Sequence, residues 1–351
     1  METYKLSDLC EILDSKRKPL SALQRAKKQG IYPYYGAQGI IDHLDDYLLD
    51  GEYLLVAEDG ANLETRNQPI ANIAKGKIWV NNHAHVLGSN GKCPLNLLGF
   101  ILNNMNISPY VTGCAQPKLN QENLRNIEIE LPSHIDRIAS ILSSLDRKIE
   151  LNNKINADLE EMAQAIFKNW FVDFEPFKDG KFVDSELGMI PEGWKVGGLF
   201  DIAEIFDKKR KPLSGNVREK MDKIYPYYGA TSCMDYVDDY IFDGIYTLIG
   251  EDGSVVKENG LPYMQYVWGK MWVNNHAHIL QGKNGYSTEM IHALLSITNI
   301  KFLVTGAVQA KLSQGNMQKI LVAIPPKNVL DEIRPVIDNL YSKIRSLSDE
   351  N

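Results

Sequence analysis

The chain repeats itself at an offset of 193 residues, and this constrains its fold more than any single motif does. "KRKPLS" at 16–21 returns at 209–214, "IYPYYGA" at 31–37 returns at 224–230, and "EDG" at 58–60 returns at 251–253. "WVNNHAHVL" at 79–87 is answered by "WVNNHAHIL" at 272–280, and "VTGCAQPKL" at 111–119 by "VTGAVQAKL" at 304–312. Positions 16–133 and 209–326 align without a gap, with 50 identities in 118 pairs. A period this long marks two copies of a whole domain, not a solenoid of small units. With 351 residues, 44% of them hydrophobic, each copy has enough apolar mass for its own core.

Within the copied unit, short apolar runs bounded by Gly, Asp and Asn ("YLLVAEDG", "KIWVNNHAHVL", "NIEIELP") read as strands. A helix is expected at about 94–106. Between the copies the pattern changes. Ile138, Leu142, Leu145, Ile149, Leu159, Ala163, Ile166 and Trp170 recur at spacings of three and four, with Asn152 and Asn156 filling the gap. That heptad-like stripe predicts a helix from about 133 to 170, on the order of 57 Å long. The stripe returns at Ile333, Val336, Ile337, Leu340 and Ile344 and ends after about 20 residues. The expected class is α+β: two similar mixed α/β domains separated by long helices that form an antiparallel coiled coil. The boundaries read 1–132 for the first domain and 133–175 for the helical spacer. The second domain is 176–326, and a short C-terminal helical region is 327–351.

No apolar run approaches the roughly 20 residues that cross a bilayer, and the N-terminus lacks the apolar core of a signal peptide. Cys10, Cys93, Cys114 and Cys233 form no CxxC, so neither a disulfide framework nor a zinc knuckle is indicated. These features predict a cytoplasmic protein without a membrane partner. The net charge of −7 argues weakly against nucleic acid, because clustering of basic residues on one face decides that question.

In combination and in order, "YPYYGA", "EDG", "WVNNHAHVL", "VTGCAQPKL" leading to "IEIELP", "ILSSLDRKIELNNKIN", and "AIFKNWFVDFEPF" followed by "SELGMIPEGWKV" are specific. On these motifs the chain resembles the specificity subunit of type I restriction–modification enzymes across essentially its whole length. The resemblance implies that each repeat is a target recognition domain reading half of a bipartite site in double-stranded DNA. It implies that the helices set the spacing and dock methyltransferase (M) subunits, which bind S-adenosylmethionine and methylate adenine. Motor–nuclease (R) subunits join to complete the restriction complex. The specificity subunit itself carries no catalysis and no cofactor. In one departure, the second helical region here is shorter than the first, whereas the family usually matches them.

The residues agree with a recognition role. There is no Asn-Pro-Pro-aromatic run, no glycine-rich loop after a strand and no Walker A loop. Lys16, Arg17 and Lys18, with Lys209, Arg210 and Lys211, form basic loops suited to phosphate contacts, or else solvated turns. In "WVNNHAH", Asn81, Asn82 and His83 (Asn274, Asn275 and His276 in the second copy) are candidates for base contact, because Asn pairs bidentately with adenine. Read as one strand, the run puts His83 and His85 on one face, where they are either packed or the start of a metal site. No third ligand stands nearby, so no metal is expected. The competing readings are a truncated or orphan specificity subunit acting only with a methyltransferase, a metal-dependent enzyme built on these His pairs, and a structural adaptor that binds only protein. Tyr34 and Tyr227 are base-stacking candidates or core residues, and Gln116, Lys118, Gln309 and Lys311 are candidates for reaching DNA. Leu145, Ile149, Leu159, Ile166 and Trp170 are assigned to the helix seam and subunit docking. Segments 61–75 and 254–268, which share only Pro69 and Pro262, are the expected specificity loops.

Overall fold

The structure is a computed structural model that describes residues 2–113, 116–306 and 309–351. Cys10 and Cys93 are buried and Cys233 is exposed, all as free thiols, and Cys114 lies outside the described residues. The chain divides into two compact units, Met1–Lys148 and Ile149–Asn351.

In unit 1, β1 (Glu2–Lys5) pairs antiparallel with β8 (Glu128–Leu131). The main sheet has six strands: β2 (Cys10–Ile12), β3 (Gln29–Gly36), β4 (Gly39–Leu44), β5 (Leu49–Ala57), β6 (Ala71–Val80) and β7 (Ala84–Ser89). Their order is β2-β7-β5-β6-β3-β4. All described pairs are antiparallel except β3–β6, which is parallel.

The register shows that this sheet is curled. Leu49 at the start of β5 pairs with Ile78 near the end of β6, while Ala57 at the end of β5 pairs with Ala84 at the start of β7. A nine-residue strand would put those ends roughly 26 Å apart if straight. The chain from Val80 to Ala84 reaches at most about 14 Å. The bend falls where Gly51 (φ +147°) pairs with Gly76 (φ +77°), two conformations that other L-residues rarely adopt. Gly244 and Gly269 repeat the pair in unit 2. Leu49, Leu55, Ile78, Val80, Ala84 and Val86 form one apolar cluster. A second cluster includes Leu54, Val56 and Leu87 with Leu97, Leu98 and Leu102 of α1 (Leu95–Asn104), close to the expected helix.

Unit 2 repeats this sheet order with β10 (Ala203–Ile205), β11 (Tyr225–Tyr228), β12 (Cys233–Val237), β13 (Phe242–Gly250), β14 (Met264–Val273) and β15 (Ala277–Gly282), after β9 (Lys195–Gly198). The helix α3 (Thr288–Ile297) stands where α1 stands in unit 1, and β9 pairs with β16 (Leu321–Ile324).

The long helix α2 runs Ile135–Phe171, 37 residues, and α4 runs Lys327–Asp349, 23 residues. Within unit 2 they pack antiparallel. Asn152 donates to the Leu347 carbonyl at 3.3 Å and Asn156 to Ser348 Oγ at 2.9 Å. Toward the other end, Phe171 packs on Tyr286, beside Leu330. The seam is Ala163, Phe167 and Phe171 against Ile333, Ile337, Tyr341 and Ile344, with Leu159, Ile166 and Trp170 half-buried at its edge. Two seam assignments need correcting. Leu145 is 55% exposed and Ile149 39% exposed, and neither belongs to this apolar cluster. No described helix is long and apolar enough to cross a membrane.

Candidate nucleic-acid interface

The bend gathers five turns at one end of each curled sheet. In unit 1 they are the 16–18 loop, the 36–39 hairpin tip, the 58–60 turn, the 81–83 turn and the 116–119 turn. Backbone bonds stitch them together: Lys18 N to Val80 O, Asn81 N to Tyr35 O, Glu58 N to His83 O, Gly60 N to Pro117 O and Leu119 N to Glu58 O. The last turn depends on Gly113 (φ +93°), where a Cβ would stand 2.5 Å from the Gln116 carbonyl. Four of these bonds recur in unit 2: Asn274 N to Tyr228 O, Glu251 N to His276 O, Gly253 N to Ala310 O and Leu312 N to Glu251 O.

"WVNNHAH" is therefore not one strand. Asn81 is buried, and its Oδ1 accepts from His83 N at 2.7 Å. This side-chain turn ends β6 and reverses the two histidines. His83 faces outward with its side chain 49% exposed, and its Nδ1 is held 2.7 Å from Asp59. His85 is fully buried.

Beneath the turns lies a charged cluster. Asp14 Oδ2 is 2.6 Å from His85 Nδ1 and accepts from Gln121 Nε2 at 2.9 Å, while its Oδ1 accepts from Val86 N at 2.9 Å. His85 Nε2 stands 2.7 Å from the Leu119 carbonyl. Both ring nitrogens thus face oxygen atoms, which fixes the orientation of the buried ring. Burial works to raise the Asp14 pKa, but the hydrogen bond and charge of His85, the Val86 amide and Arg17 together hold it below the usual carboxylate range. Arg17 donates to Glu58 at 2.6 Å and to the Ala84 carbonyl at 3.0 Å. Glu58 is likewise lowered: burial opposes, and the Arg17 hydrogen bond with the neighbouring cations prevails. Asp207, Arg210, Glu251, His278 and Gln314 rebuild the cluster in unit 2.

This geometry corrects several assignments. Arg17 and Arg210 are internal braces rather than loop cations, since their side chains are only 15% and 12% exposed and already paired. Tyr34 and Tyr227 are buried, and their hydroxyls accept from the Leu20 and Leu213 amides, so neither presents a ring for stacking. Asn81 and Asn274 shape their turns from inside. Lys16, Lys18, Asn82, His83, Gln116 and Lys118 are left exposed together, and Lys209, Lys211, Asn275, His276, Gln309 and Lys311 match them in unit 2.

Asp207, Glu251 and His278 bring potential ligand atoms within 4.8 Å of one another. Arg210 already stands among them, 2.7 Å from Glu251 and 3.3 Å from Asp207. The guanidinium supplies the positive charge a divalent ion would bring, and the group is an ion-pair network.

A family model described as "Type I restriction modification DNA specificity domain" matches residues 1–161 and again 191–351. The chain belongs to this family. Among curated specificity subunits, the putative type I restriction enzyme specificity subunit S.HindORF215P of Haemophilus influenzae is 25% identical over 99% of this chain and 90% of its own length. The MjaIX specificity subunit of Methanocaldococcus jannaschii is 27% identical over 66% of this chain and 58% of its own length. The crystal structure of the type I restriction–modification S subunit from M. genitalium aligns over 99% of this chain and 91% of its own with a TM-score of 0.56; at 14% identity it shows the shared fold.

For a member of the type I specificity family, the residues that sequence reasoning missed are the supports Asp14, Glu58, Gln121 and their counterparts, while His85 takes the packed role that was one of its two readings. "EDG" was visible as a repeated motif, and the identity of Asp14 with Asp207 falls two positions before the aligned block begins.

Proposed function

We propose that the chain is the DNA-reading subunit of a type I restriction–modification complex. Each unit docks its five-turn end on one half of a bipartite duplex site. Lys16 and Lys18, like Lys209 and Lys211, contact phosphates and give affinity without sequence information. The amide of Asn82 and the outward edge of His83, like those of Asn275 and His276, have the chemistry to meet base edges in the major groove. The helices α2 and α4 set the half-site spacing and dock methyltransferase subunits, which supply adenine methylation, and motor–nuclease subunits complete the complex. The observation that carries this reading is the convergence of five separate turns into one polar, lysine-bearing end, built twice with the same exposed residues.

The test is methylation of random-sequence DNA by the chain with methyltransferase subunits and S-adenosylmethionine, mapped by long-read sequencing. The expected product is methylated adenine in two short blocks around an unread spacer, with no reaction by this chain alone. A single continuous block, or methylation or cleavage by the isolated chain, overturns the reading.

A further inference from the structure

We propose that the tip of the β3–β4 hairpin, and of its β11–β12 counterpart, is the base-discriminating element of each unit, reading thymine methyl groups in the major groove. The inference rests on the reading that these units bind DNA. Its starting point is an apolar surface that the polar interface does not explain. Ile40 and Ile41 are each 51% exposed at the tip, and in unit 2 Met234 is 56% exposed beside exposed Cys233. Single exposed apolar residues are ordinary, but this pair recurs at the same place in both copies, inside a site otherwise made of Lys, Asn and His.

The tip is held rigidly against that site. Ile41 lies over Gly36, where a Cβ would stand 3.3 Å from its side chain and 3.5 Å from Asn81 Nδ2. In unit 2 Met234 lies over Gly229, and Asn274 Nδ2 donates to its sulfur at 3.5 Å. The apolar side chains are therefore immediate neighbours of the 81–83 and 274–276 turns.

What is shared between the copies is the frame. Arg25 pairs with Asp42 at 2.9 Å and Arg218 with Asp235 at 2.7 Å. Trp79 Nε1 donates to the Lys18 carbonyl, and Trp272 Nε1 to that of Lys211, each at 2.6 Å. What differs is the outward chemistry: Ile40, Ile41 and His43 stand opposite Cys233, Met234 and Tyr236. A shared mount carrying different contact residues is what two half-sites of different sequence require.

The surroundings fit duplex DNA. Lys16, Lys18 and Lys27 are exposed on segment 16–47 in a chain of net charge −7. An aliphatic side chain gains nothing from phosphate. In the major groove, which admits a two-stranded β-ribbon, the apolar group on a base edge is the C5-methyl of thymine.

The test selects sites for the full-length chain, alone or with its methyltransferase partner, from a randomised duplex library. Deoxyuridine is then substituted for thymidine in the selected half-sites, which removes only the methyl. Affinity is expected to fall about fourfold per contacted methyl, the effect of one buried methyl-sized group. The double variant Ile40→Ala, Ile41→Ala should lose that sensitivity in one half-site and keep it in the other, with an unchanged salt dependence. As these side chains are half exposed, the variant keeps its core, which thermal unfolding checks. Selective binding with no uridine effect in either half-site, or with the same effect in the variant, overturns the hairpin assignment and leaves DNA reading intact. Failure to select any sequence overturns both.

Discussion

Among the residues of the interface, Arg17 shows why neighbours in a "KRK" run have different roles. Lys16 and Lys18 are exposed, while Arg17 is clamped by Glu58, Asp14 and the Ala84 carbonyl. Changing Arg17 to Ala leaves two part-buried carboxylates short of a cation, a loss of about 3–5 kcal/mol for a buried pair broken on one side. We expect denaturant unfolding of unit 1 to move by that amount, where Lys16→Ala moves it by under about 0.5 kcal/mol. Asp14→Asn should destabilise similarly and also flatten the acid response. A carboxylate held low in the folded state contributes stability that is full above its unfolded value, near 4, and is lost as pH falls through the folded one. The wild-type chain should lose stability steeply below about pH 4, and the variant less steeply. A variant whose unfolding free energy keeps the full acid slope would show that Asp14 is not the titrating group. The sequence displays Lys, Arg and Lys as equivalents, because what separates them is a partner 41 residues away. Asn81 was equally opaque: its side-chain bond to the His83 amide converts an apparent strand into a turn, and alternation alone would keep the strand.

At the scale of elements, the repeat and the helices were legible because they are periodic, and the helix expected at 94–106 corresponds to Leu95–Asn104. The curl of the sheet was not, since it depends on two glycines meeting across β5 and β6, which only the register reveals. Divergence between the copies was also ambiguous. Segment 254–268 differs from 61–75 partly because Tyr266 and Trp268 pack within unit 2: Tyr266 bonds Glu289 and Arg345, and Trp268 Nε1 donates to Asp349. Those two positions therefore belong to the helix contact rather than to DNA reading. The same contact holds His292 of α3, which lies against Thr247, Tyr266 and Tyr341, with Lys257 close enough to oppose its charging. Burial, reinforced by Lys257, pushes its pKa down to about 4. A histidine lowered by folding contributes stability that is full above its unfolded value, about 6.5, and is lost as pH falls toward 4, roughly 3 kcal/mol in all. Gly99 occupies this place in unit 1. Hydrogen exchange at pH 5.5 against pH 7.5, corrected for intrinsic rates, should show α3 losing about tenfold protection relative to α1. Equal changes in the two helices would remove His292 as the cause.

At the scale of the whole molecule, the two units differ in how their helices pack but present the same set of exposed polar residues at the five-turn end. The helix α2, 37 residues and roughly 55 Å long, exceeds one turn of DNA, about 34–36 Å. On the proposed reading, two reading ends meet two blocks with a spacer between them, and their electrostatics should be separable. Each phosphate neutralised by a lysine releases counterions and adds roughly 0.9 to the slope of log affinity against log salt. Replacing Lys16 and Lys18 with Ala, with Arg17 left in place, should lower that slope by about 1.8 if both contact phosphate. Replacing Lys209 and Lys211 should do the same, and all four together should lower it by about 3.6, because the pairs sit in separate compact units. If these lysines meet phosphates, as proposed, the half-sites selected should stay the same throughout, because phosphate contacts carry no sequence information. Fluorescence anisotropy on one selected duplex, at salt from about 50 to 200 mM, gives the slopes. Two outcomes would count against independent docking of the two ends: a change of preferred sequence in either pair variant, or a fourfold variant no different from a single pair.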